Sequence, residues 1–290
     1  MRIRKAVLPV AGLGTRVLPA SKVIPKEMLP LVDKPALQYI IESAVAAGIE
    51  EVILVTSRSK RSIEDHFDSF PELEQMLEQK GKLKELEEVR RIDRLASFAF
   101  VRQSEPLGLG HAVLCAKQLV GDEPFAVMLG DNLFDPETPN LPRMIEIYEQ
   151  YGSSVLSLFE CAADQVSSYG IAAVDNLSAD TVKVNHLVEK PAPEEAPSNL
   201  AVDGCYILTP DIFTILEQTP PGRGNEIQLT DALLKQADAG HCYGLRFQGI
   251  RYDTGTPLGL LTASISYALK RDDLAPALRD YMRQVLQEEN

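Results

Sequence analysis

Short apolar runs alternate along the chain with longer segments in which apolar residues recur every three to four positions. Residues 5–10, 51–56 and 124–129 form almost continuous apolar runs. This pattern is typical of strands buried on both faces of a parallel sheet. Residues 35–48, between the first two runs, have the periodicity of an amphipathic helix, with Pro at the start and Gly at the end. The order strand, helix, strand predicts a βαβ unit with a right-handed crossover.

The same hydrophobic patterns predict the secondary structure of the rest of the chain. Residues 60–93 are charged and helical in pattern, and we expect them to form an insertion on the solvated side. The proline-rich segment 191–197 is too short to separate independent domains. The fold class is therefore α/β, with a mixed, mostly parallel sheet flanked by helices. Further predicted strands are 97–102, 154–159 and 182–189, and further predicted helices are 109–119, 143–151, 226–239, 257–270 and 276–287.

Charge is unevenly distributed along the 290 residues. The chain carries 29 basic and 42 acidic side chains, a net charge of -13, yet residues 1–34 alone have seven basic and two acidic ones. The acidic balance argues against broad nucleic-acid binding, which relies on extended basic surfaces. It leaves room for a small anionic ligand at one basic site.

Membrane, secretion and redox signals are weak. The longest uncharged run, 254–269, is too short and too interrupted to cross a bilayer. The N-terminal stretch faintly resembles a signal peptide, but proline and glycine break its apolar run, so we do not expect secretion. The four cysteines have no metal or redox spacing, which favours reduced core thiols. We expect a cytoplasmic protein without a membrane partner.

The first chemical motif is the loop from Ala11 to Arg16, Ala-Gly-Leu-Gly-Thr-Arg, directly after a predicted strand. Two glycines let backbone N–H groups approach a phosphate, and Arg16 can bind one in a bidentate manner. A simple tight turn is the alternative. A dinucleotide fingerprint would require a third glycine where Val17 stands, and no Walker A motif occurs.

Lys26 lies in a stiff segment, Pro25 to Pro30, within the same basic stretch. It is a candidate ligand of a triphosphate, although an exposed loop lysine is the ordinary alternative. Glu189 and Lys190 stand side by side at the end of another predicted strand. They could contact sugar hydroxyls and a phosphate, or form a surface ion pair that contributes little.

Two carboxylates are candidate ligands of Mg²⁺. Asp131 follows the apolar strand 124–129, and Asp253 follows another run with strand character. Ligands of open α/β sheets bind at such strand ends, and Mg²⁺ prefers one or two carboxylates together with substrate phosphates. Each Asp could equally cap the next turn or helix. No histidine or serine lies in a recognisable nucleophile motif.

Taken together, these residues resemble the sugar-1-phosphate nucleotidylyltransferases. The stretches that carry the resemblance run from residue 6 to about 260 and include GLGTR, PKEMLP, GLGHAVLCA, LGDN, VEKP and GNEIQLTDALLKQA. The joint signature of GLGTR, PKEMLP and VEKP is highly specific. The resemblance implies a Rossmann-like nucleotidyltransferase fold, and we expect the catalytic domain over 1–260. The C-terminal helical segment 261–290 has apolar faces, so we expect it to pack on this domain or in an interface of a homo-oligomer.

The resemblance also implies an activity and a set of site residues. UTP and glucose 1-phosphate would give UDP-glucose and pyrophosphate with the help of Mg²⁺, held by Asp131 and Asp253. The catalytic residues would be Arg16, Lys26, Asp131 and Lys190. The remaining binding residues would be Ala11, Gly12, Gly14 and Thr15 for the nucleotide, Gln103 and Gly108 for the base, and Gly170, Glu189 and Gly204 for the sugar.

Three alternatives stay open. The sequences around Asp131 and after Asp253 look more like those of glucose-1-phosphate thymidylyltransferases, and uracil differs from thymine by one methyl group, worth only ~1–3 kcal/mol. The insertion at 57–93 and the PSNLAV segment favour UTP. The altered metal-site neighbourhood would also suit an inactive relative that binds nucleotide sugars and modulates a partner. An NAD-dependent oxidoreductase is the most distant alternative, because of Val17.

Overall fold

The computed structural model describes residues 1–288, with a nine-stranded sheet as its central element. The strands are β1 (Lys5–Pro9), β2 (Pro30–Leu31), β3 (Lys34–Pro35), β4 (Glu51–Thr56), β5 (Ser97–Arg102), β6 (Phe125–Met128), β7 (Asn132–Phe134), β8 (Ser154–Glu160), β9 (Gly170–Asn176), β10 (Thr181–Glu189), β11 (Leu200–Leu208), β12 (Cys242–Arg246) and β13 (Arg251–Asp253). The helices are α1 (Ala36–Ala46), α2 (Arg61–Phe67), α3 (Pro71–Gln79), α4 (Leu83–Asp93), α5 (Leu109–Cys115), α6 (Lys117–Val120), α7 (Leu141–Tyr151), α8 (Asp211–Glu217), α9 (Leu229–Asp238), α10 (Pro257–Leu269) and α11 (Ala275–Glu288).

The sheet has the strand order β5-β4-β1-β6-β11-β8-β12-β10-β9 and is mixed, as predicted. Strands β5, β4, β1 and β6 are parallel, as are β12 and β8. The pairs β6–β11, β11–β8, β12–β10 and β10–β9 are antiparallel. Parallel pairing is therefore less extensive than the sequence predicted, because β11 runs antiparallel between β6 and β8. Two small ribbons, β2–β3 and β7–β13, lie outside the sheet.

Both faces of the sheet are covered. Alternate residues of β1 belong to different core clusters, Ala6 and Leu8 to one and Val7 to the other. Successive side chains of a strand point to opposite faces, so the two clusters lie on opposite sides. Helices α1 and α7 contribute to the first cluster, and α5, α8 and α9 contribute to the second. This arrangement explains why the central strands are almost continuously apolar.

Several predicted boundaries differ from the structure. The helix predicted at 109–119 is two helices, α5 and α6, and the helix predicted at 226–239 begins at Leu229 because the residue before it, Gln228, is extended. The patterns did not predict β9, β11, β12 or α8. Strand β11 is buried along its whole length, but Asp203 and Gly204 interrupt its apolar pattern.

The segment 60–93 is helical, as predicted, in the form of α2, α3 and α4. It is not wholly solvated, because Leu77 and Leu86 are buried. Helix α10 runs across position 260, so the division between 1–260 and 261–290 falls inside a helix. Residues 289 and 290 lie outside the described residues. Within 1–288, none of the helices has the length and apolar character that crossing a membrane requires.

Candidate active site

A two-stranded ribbon brings together two carboxylates that are far apart in sequence. Asp131 lies between β6 and β7, and Asp253 ends β13, which pairs with β7 so that Asp253 is opposite Asn132. Thr254 fastens the junction, since its backbone N and its Oγ1 donate to the carbonyl oxygen of Asp131 at 2.8 and 3.0 Å. The two carboxylates therefore lie next to each other at the end of the parallel half of the sheet.

Two basic side chains meet these carboxylates. Nζ of Lys26 lies 2.5 Å from Oδ2 of Asp131, and Nη2 of Arg16 lies 3.2 Å from the same oxygen. Nη1 of Arg16 lies 2.9 Å from Oδ2 of Asp253. Lys26 and Asp131 are largely buried, while Arg16 is more than half exposed. One guanidinium thus spans both carboxylates and has room to turn outward.

The donor set of this centre fits a hard divalent cation. Among the side chains that the structure describes, there is no group of three or more His, Cys, Asp or Glu arranged for a metal. Two carboxylates are nevertheless what Mg²⁺ takes from a protein when substrate phosphates and water supply its other ligands. The guanidinium of Arg16 already places a positive charge between Asp131 and Asp253.

The glycine loop packs directly on the segment of Lys26. Gly14 has a φ of +67°, and a Cβ added there would lie 3.1 Å from Cβ of Lys26. Glycine is required for this backbone conformation and close approach. A Cβ on Gly12 would meet open space, so the structure gives no steric reason for that glycine. Its backbone is accessible to a ligand on this side.

A larger cavity of about 1020 Å³ opens beside this loop. Ala11 and Gly12 line it together with Lys26 and Asp131, and Gln103 and Gly108 line it as well. Gly108 has a φ of +98°, and a Cβ there would lie 2.7 Å from Cβ of Glu226. Only glycine fits this position. Of the predicted loop residues, Gly14 and Thr15 do not line the cavity.

A smaller cavity of about 480 Å³ lies on the other side of Asp131. The pairing of β9 with β10 places Glu189 opposite Gly170. Glu189 accepts a hydrogen bond from Oγ1 of Thr230 at 2.7 Å and lies 3.2 Å from Nζ of Lys190. The lining includes the predicted residues Arg16, Asp131, Gly170, Glu189, Lys190, Gly204 and Asp253.

Backbone geometry constrains this smaller cavity. Gly204 has a φ of +86°, and a Cβ there would lie 2.5 Å from Cδ1 of Leu129, so a larger residue would strain the backbone and displace Leu129. Lys190 adopts a φ of +47°, which is uncommon for a residue with a side chain. Such conformations cost of order 1–3 kcal/mol and are concentrated at functional sites. Leu109, Leu129 and Asp131 line both cavities, which therefore form one bipartite cleft.

Asp203 and Arg251 are among the polar residues of the smaller cavity that the sequence patterns missed. Asp203 is buried and accepts hydrogen bonds from Oγ of Ser157 at 2.6 Å and from N of Cys205 at 3.2 Å. Burial raises its pKa to about 6, partly offset by the Ser157 hydrogen bond and the charge of Arg251. Arg251 stacks on Phe159 and donates to Oδ1 of Asn132 at 3.0 Å. Arg251 could have been found, since it precedes Asp253 by two residues on a strand and alternate residues share a face.

A buried ion pair supports the segment of Lys26. Nζ of Lys60 lies 2.7 Å from Oε2 of Glu27, and the two side chains are 3% and 1% exposed. Burial raises the pKa of Glu27, and the charge of Lys60 opposes that rise. A Cβ on Gly130 would lie 3.0 Å from Cγ of Glu27, so the pair also packs against the turn that carries Asp131. The sequence patterns did not predict this pair.

Comparison with known proteins decides the family. The model of the nucleotidyl transferase family matches residues 5–269. The chain belongs to the nucleotidyl transferase family. It is 49% identical to the UTP–glucose-1-phosphate uridylyltransferase YngB of Bacillus subtilis, over 99% of this chain and 97% of that protein.

Solved structures of the family agree with this assignment. The UTP-bound UGPase from Acinetobacter baumannii is 45% identical and superposes with a TM-score of 0.89, covering 97% of this chain and 98% of that one. A UDP-glucose pyrophosphorylase complexed with UDP-glucose is 46% identical with a TM-score of 0.83, covering 93% and 100%. The Rossmann-like nucleotidyltransferase fold expected from the sequence is thereby confirmed.

Proposed function

We propose that the protein transfers a uridylyl group from UTP to glucose 1-phosphate, giving UDP-glucose and pyrophosphate. The observation that carries this proposal is the bipartite cleft, whose two cavities meet at Asp131, beside Lys26 and Arg16. A cleft of this form can hold a nucleotide and a sugar phosphate with their reacting phosphates at the junction. The similarity to a UTP–glucose-1-phosphate uridylyltransferase supports the choice of substrates.

Each predicted residue receives a role on this proposal. Ala11 and Gly12 present backbone N–H groups to the nucleotide, while Gly14 and Thr15 shape the same loop. Gln103 and Gly108 contact the base at the far end of the larger cavity. In the smaller cavity, Gly170, Glu189 and Gly204 hold the sugar, and Lys190 neutralises the sugar phosphate. Arg16 and Lys26 turn from their carboxylates toward the phosphates of UTP.

The chemistry needs alignment and charge neutralisation rather than a protein nucleophile. An oxygen of the sugar phosphate attacks the α-phosphorus in line with the departing pyrophosphate, so the substrate itself supplies the nucleophile. Lys26, Arg16 and Lys190 offset the repulsion between the two polyanions and fix their relative orientation. Asp131 and Asp253 would hold Mg²⁺, which supplies further neutralisation of phosphate charge when bound. The walls of the cleft exclude part of the bulk water.

A panel of nucleotides tests the proposal. Purified protein is incubated with glucose 1-phosphate, MgCl₂ and, in turn, UTP, dTTP, ATP and GTP, and the release of pyrophosphate is followed. We expect the highest kcat/KM with UTP and no release without glucose 1-phosphate. A preference for dTTP would show that the nucleotide substrate is dTTP rather than UTP, while the type of reaction stays the same. Absence of turnover with every nucleotide would instead favour a nucleotide-sugar-binding relative without activity.

Three further expectations accompany the proposal. We infer that 1–260 form the catalytic domain and that the helical part that follows, from within α10 to the end of α11, packs on it or in an interface. We expect a homo-oligomer, a dimer or a tetramer. A cytoplasmic location remains a prediction from the sequence.

A further inference from the structure

The side-chain amide of Gln103 has a defined orientation at the end of the larger cavity. Its Nε2 donates to the carbonyl oxygen of Gly108 at 3.0 Å. A carbonyl oxygen can only accept, so the NH₂ group must lie on this side. The same Nε2 lies 3.1 Å from Nδ1 of His111. Both amide hydrogens are therefore used within the protein.

The remaining atom of the amide faces the cavity. Among the side chains that the structure describes, Oε1 of Gln103 has no hydrogen-bond partner, and it is not one of the fully buried polar atoms without a partner. Gln103 lines the larger cavity, so Oε1 is the atom that it presents to a ligand. Gln103 thus offers an acceptor and no donor.

The imidazole of His111 maintains this orientation. Its Nδ1 must accept the hydrogen bond from Gln103, so its proton lies on Nε2. Nε2 lies 4.0 Å from Sγ of Cys115, a weak acceptor one helical turn later. Helix α5 itself is fastened to the chain before α9, because N of Gly110 donates to the carbonyl oxygen of Ile227 at 2.9 Å. The imidazole is held by its own helix.

We propose that His111 is a positioning residue that selects the base of the nucleotide through Gln103. With His111 as acceptor, Oε1 of Gln103 meets the ring N–H of a uracil or thymine base. Cytosine presents a lone pair at the same ring nitrogen, and two acceptors repel each other. The cleft is therefore selective for nucleoside triphosphates whose pyrimidine carries a ring N–H. This inference rests on the proposed function.

Binding measurements without sugar phosphate test the inference. The Kd values of UTP, dTTP and CTP are determined by isothermal titration calorimetry for the wild type, His111→Leu and His111→Asn. In the wild type, UTP and dTTP should bind more tightly than CTP. In His111→Leu the ratio of the CTP Kd to the UTP Kd should fall about ten-fold, the usual size of one lost hydrogen bond. His111→Asn should keep the ratio, because its amide oxygen can replace Nδ1 as acceptor.

Two controls separate positioning from general structure. His186→Leu changes an exposed histidine on β10 and should leave all three Kd values unchanged. Gln103→Ala should lower the ratio as much as His111→Leu does, and the double variant should lower it no further, since His111 acts through Gln103. If His111→Leu does not fold, as judged by its Tm, His111→Ala replaces it.

Two results would overturn the inference. One is an equal weakening of UTP and CTP binding in the His111 variant. The other is a further fall of the ratio when His111→Leu is added to Gln103→Ala. Turnover of the wild type with UTP and glucose 1-phosphate is measured separately. Its absence would contradict the proposed function, whereas the binding ratios would still decide the role of His111.

Discussion

Asp131 lines both cavities of the cleft and lies where they meet. Its Oδ2 lies within 3.2 Å of both Lys26 and Arg16. Asp131→Asn preserves the shape and removes the charge that would hold a cation at the reacting phosphates. We expect kcat to fall at least ~100-fold, with much less change in the KM for glucose 1-phosphate, which binds mainly through the smaller cavity. Steady-state kinetics with both substrates measure the two effects.

The control for this variant is Asp122→Asn, which changes an exposed carboxylate outside both cavities. It should retain wild-type kcat and KM. A wild-type kcat in Asp131→Asn would contradict the role given to Asp131. A large rise in the KM for glucose 1-phosphate with unchanged kcat would place Asp131 among the sugar-binding residues.

Asp203 makes stability depend on pH. Its pKa is raised to about 6 by burial, so in the folded protein it keeps its proton at a pH at which the unfolded chain has lost it. The contribution to stability is complete below the unfolded pKa, near 4, and is lost as the pH rises through 6. Asp203→Asn removes this dependence. Relative to the wild type, the variant should gain up to ~3 kcal/mol in free energy of unfolding between pH 4 and pH 7.5.

Urea denaturation at several pH values measures this gain. Asp175→Asn, an exposed carboxylate on β9, serves as the control and should follow the wild type at every pH. If the stability difference between wild type and Asp203→Asn is constant with pH, folding does not shift the pKa of Asp203. If the difference has the opposite slope, Asp203 is charged in the folded protein.

At the scale of single residues, the sequence reveals side chains that stand at the ends of apolar strands. Asp131 was predicted because it follows β6, and Arg16 because it follows the glycine loop after β1. Asp203 was missed because it lies inside β11, where a charge contradicts the pattern of a buried strand. Its hydrogen bond from Ser157 comes from a neighbouring strand, and pairing between strands is not encoded in a local pattern.

At the scale of elements, the ion pair between Glu27 and Lys60 joins the segment of Lys26 to the start of α2. Lys60→Met leaves the carboxylate of Glu27 buried without its partner, which costs ~3–5 kcal/mol. We expect this loss in the free energy of unfolding at pH 7, together with reduced kcat, because the neighbouring Lys26 is no longer held in place. Adding Glu27→Gln removes the buried charge and should recover most of the stability.

An exposed ion pair provides the comparison. Lys84 and Glu88 lie 4.0 Å apart on α4, and both side chains are largely exposed. Lys84→Met should change the free energy of unfolding by less than ~0.5 kcal/mol. Chemical denaturation of the three variants measures these effects. Equal losses in Lys60→Met and Lys84→Met would contradict the importance of burial for the Glu27–Lys60 pair.

The sequence predicts those helices and strands in which apolar residues recur with a single clear periodicity. Strand β4 and helix α1 were found to within two residues, since β4 is a continuous apolar run and α1 has one apolar face. Strands β9 and β12 were not found, because partly exposed positions break their patterns. The antiparallel half of the sheet depends on pairing between segments that are distant in sequence. The local hydrophobic pattern does not show which segments pair.

At the scale of the whole molecule, the basic side chains of residues 1–34 have different partners. Arg2 and Arg4 form largely exposed ion pairs with Glu50, and Lys5 pairs with Glu123 at the start of β1, so these charges are neutralised outside the two cavities of the cleft. Arg16 and Lys26 alone of this stretch meet the carboxylates of the cleft. The net charge of -13 thus coexists with a local site for polyanions, because the positive charge is concentrated where the phosphates are expected.

Exposed apolar residues on α10 predict a contact between two copies of the chain. Leu258 and Leu261 are 71% and 58% exposed and lie three residues apart, so they share one face of the helix. A second copy of the chain would cover this apolar surface. We expect the wild type to be a homo-oligomer and Leu258→Glu/Leu261→Glu to dissociate toward the monomer, as measured by size-exclusion chromatography with light scattering. Leu177→Glu, between β9 and β10, is the control and should keep the wild-type mass. A monomeric wild type, or an unchanged mass in the double variant, would exclude this face as the interface.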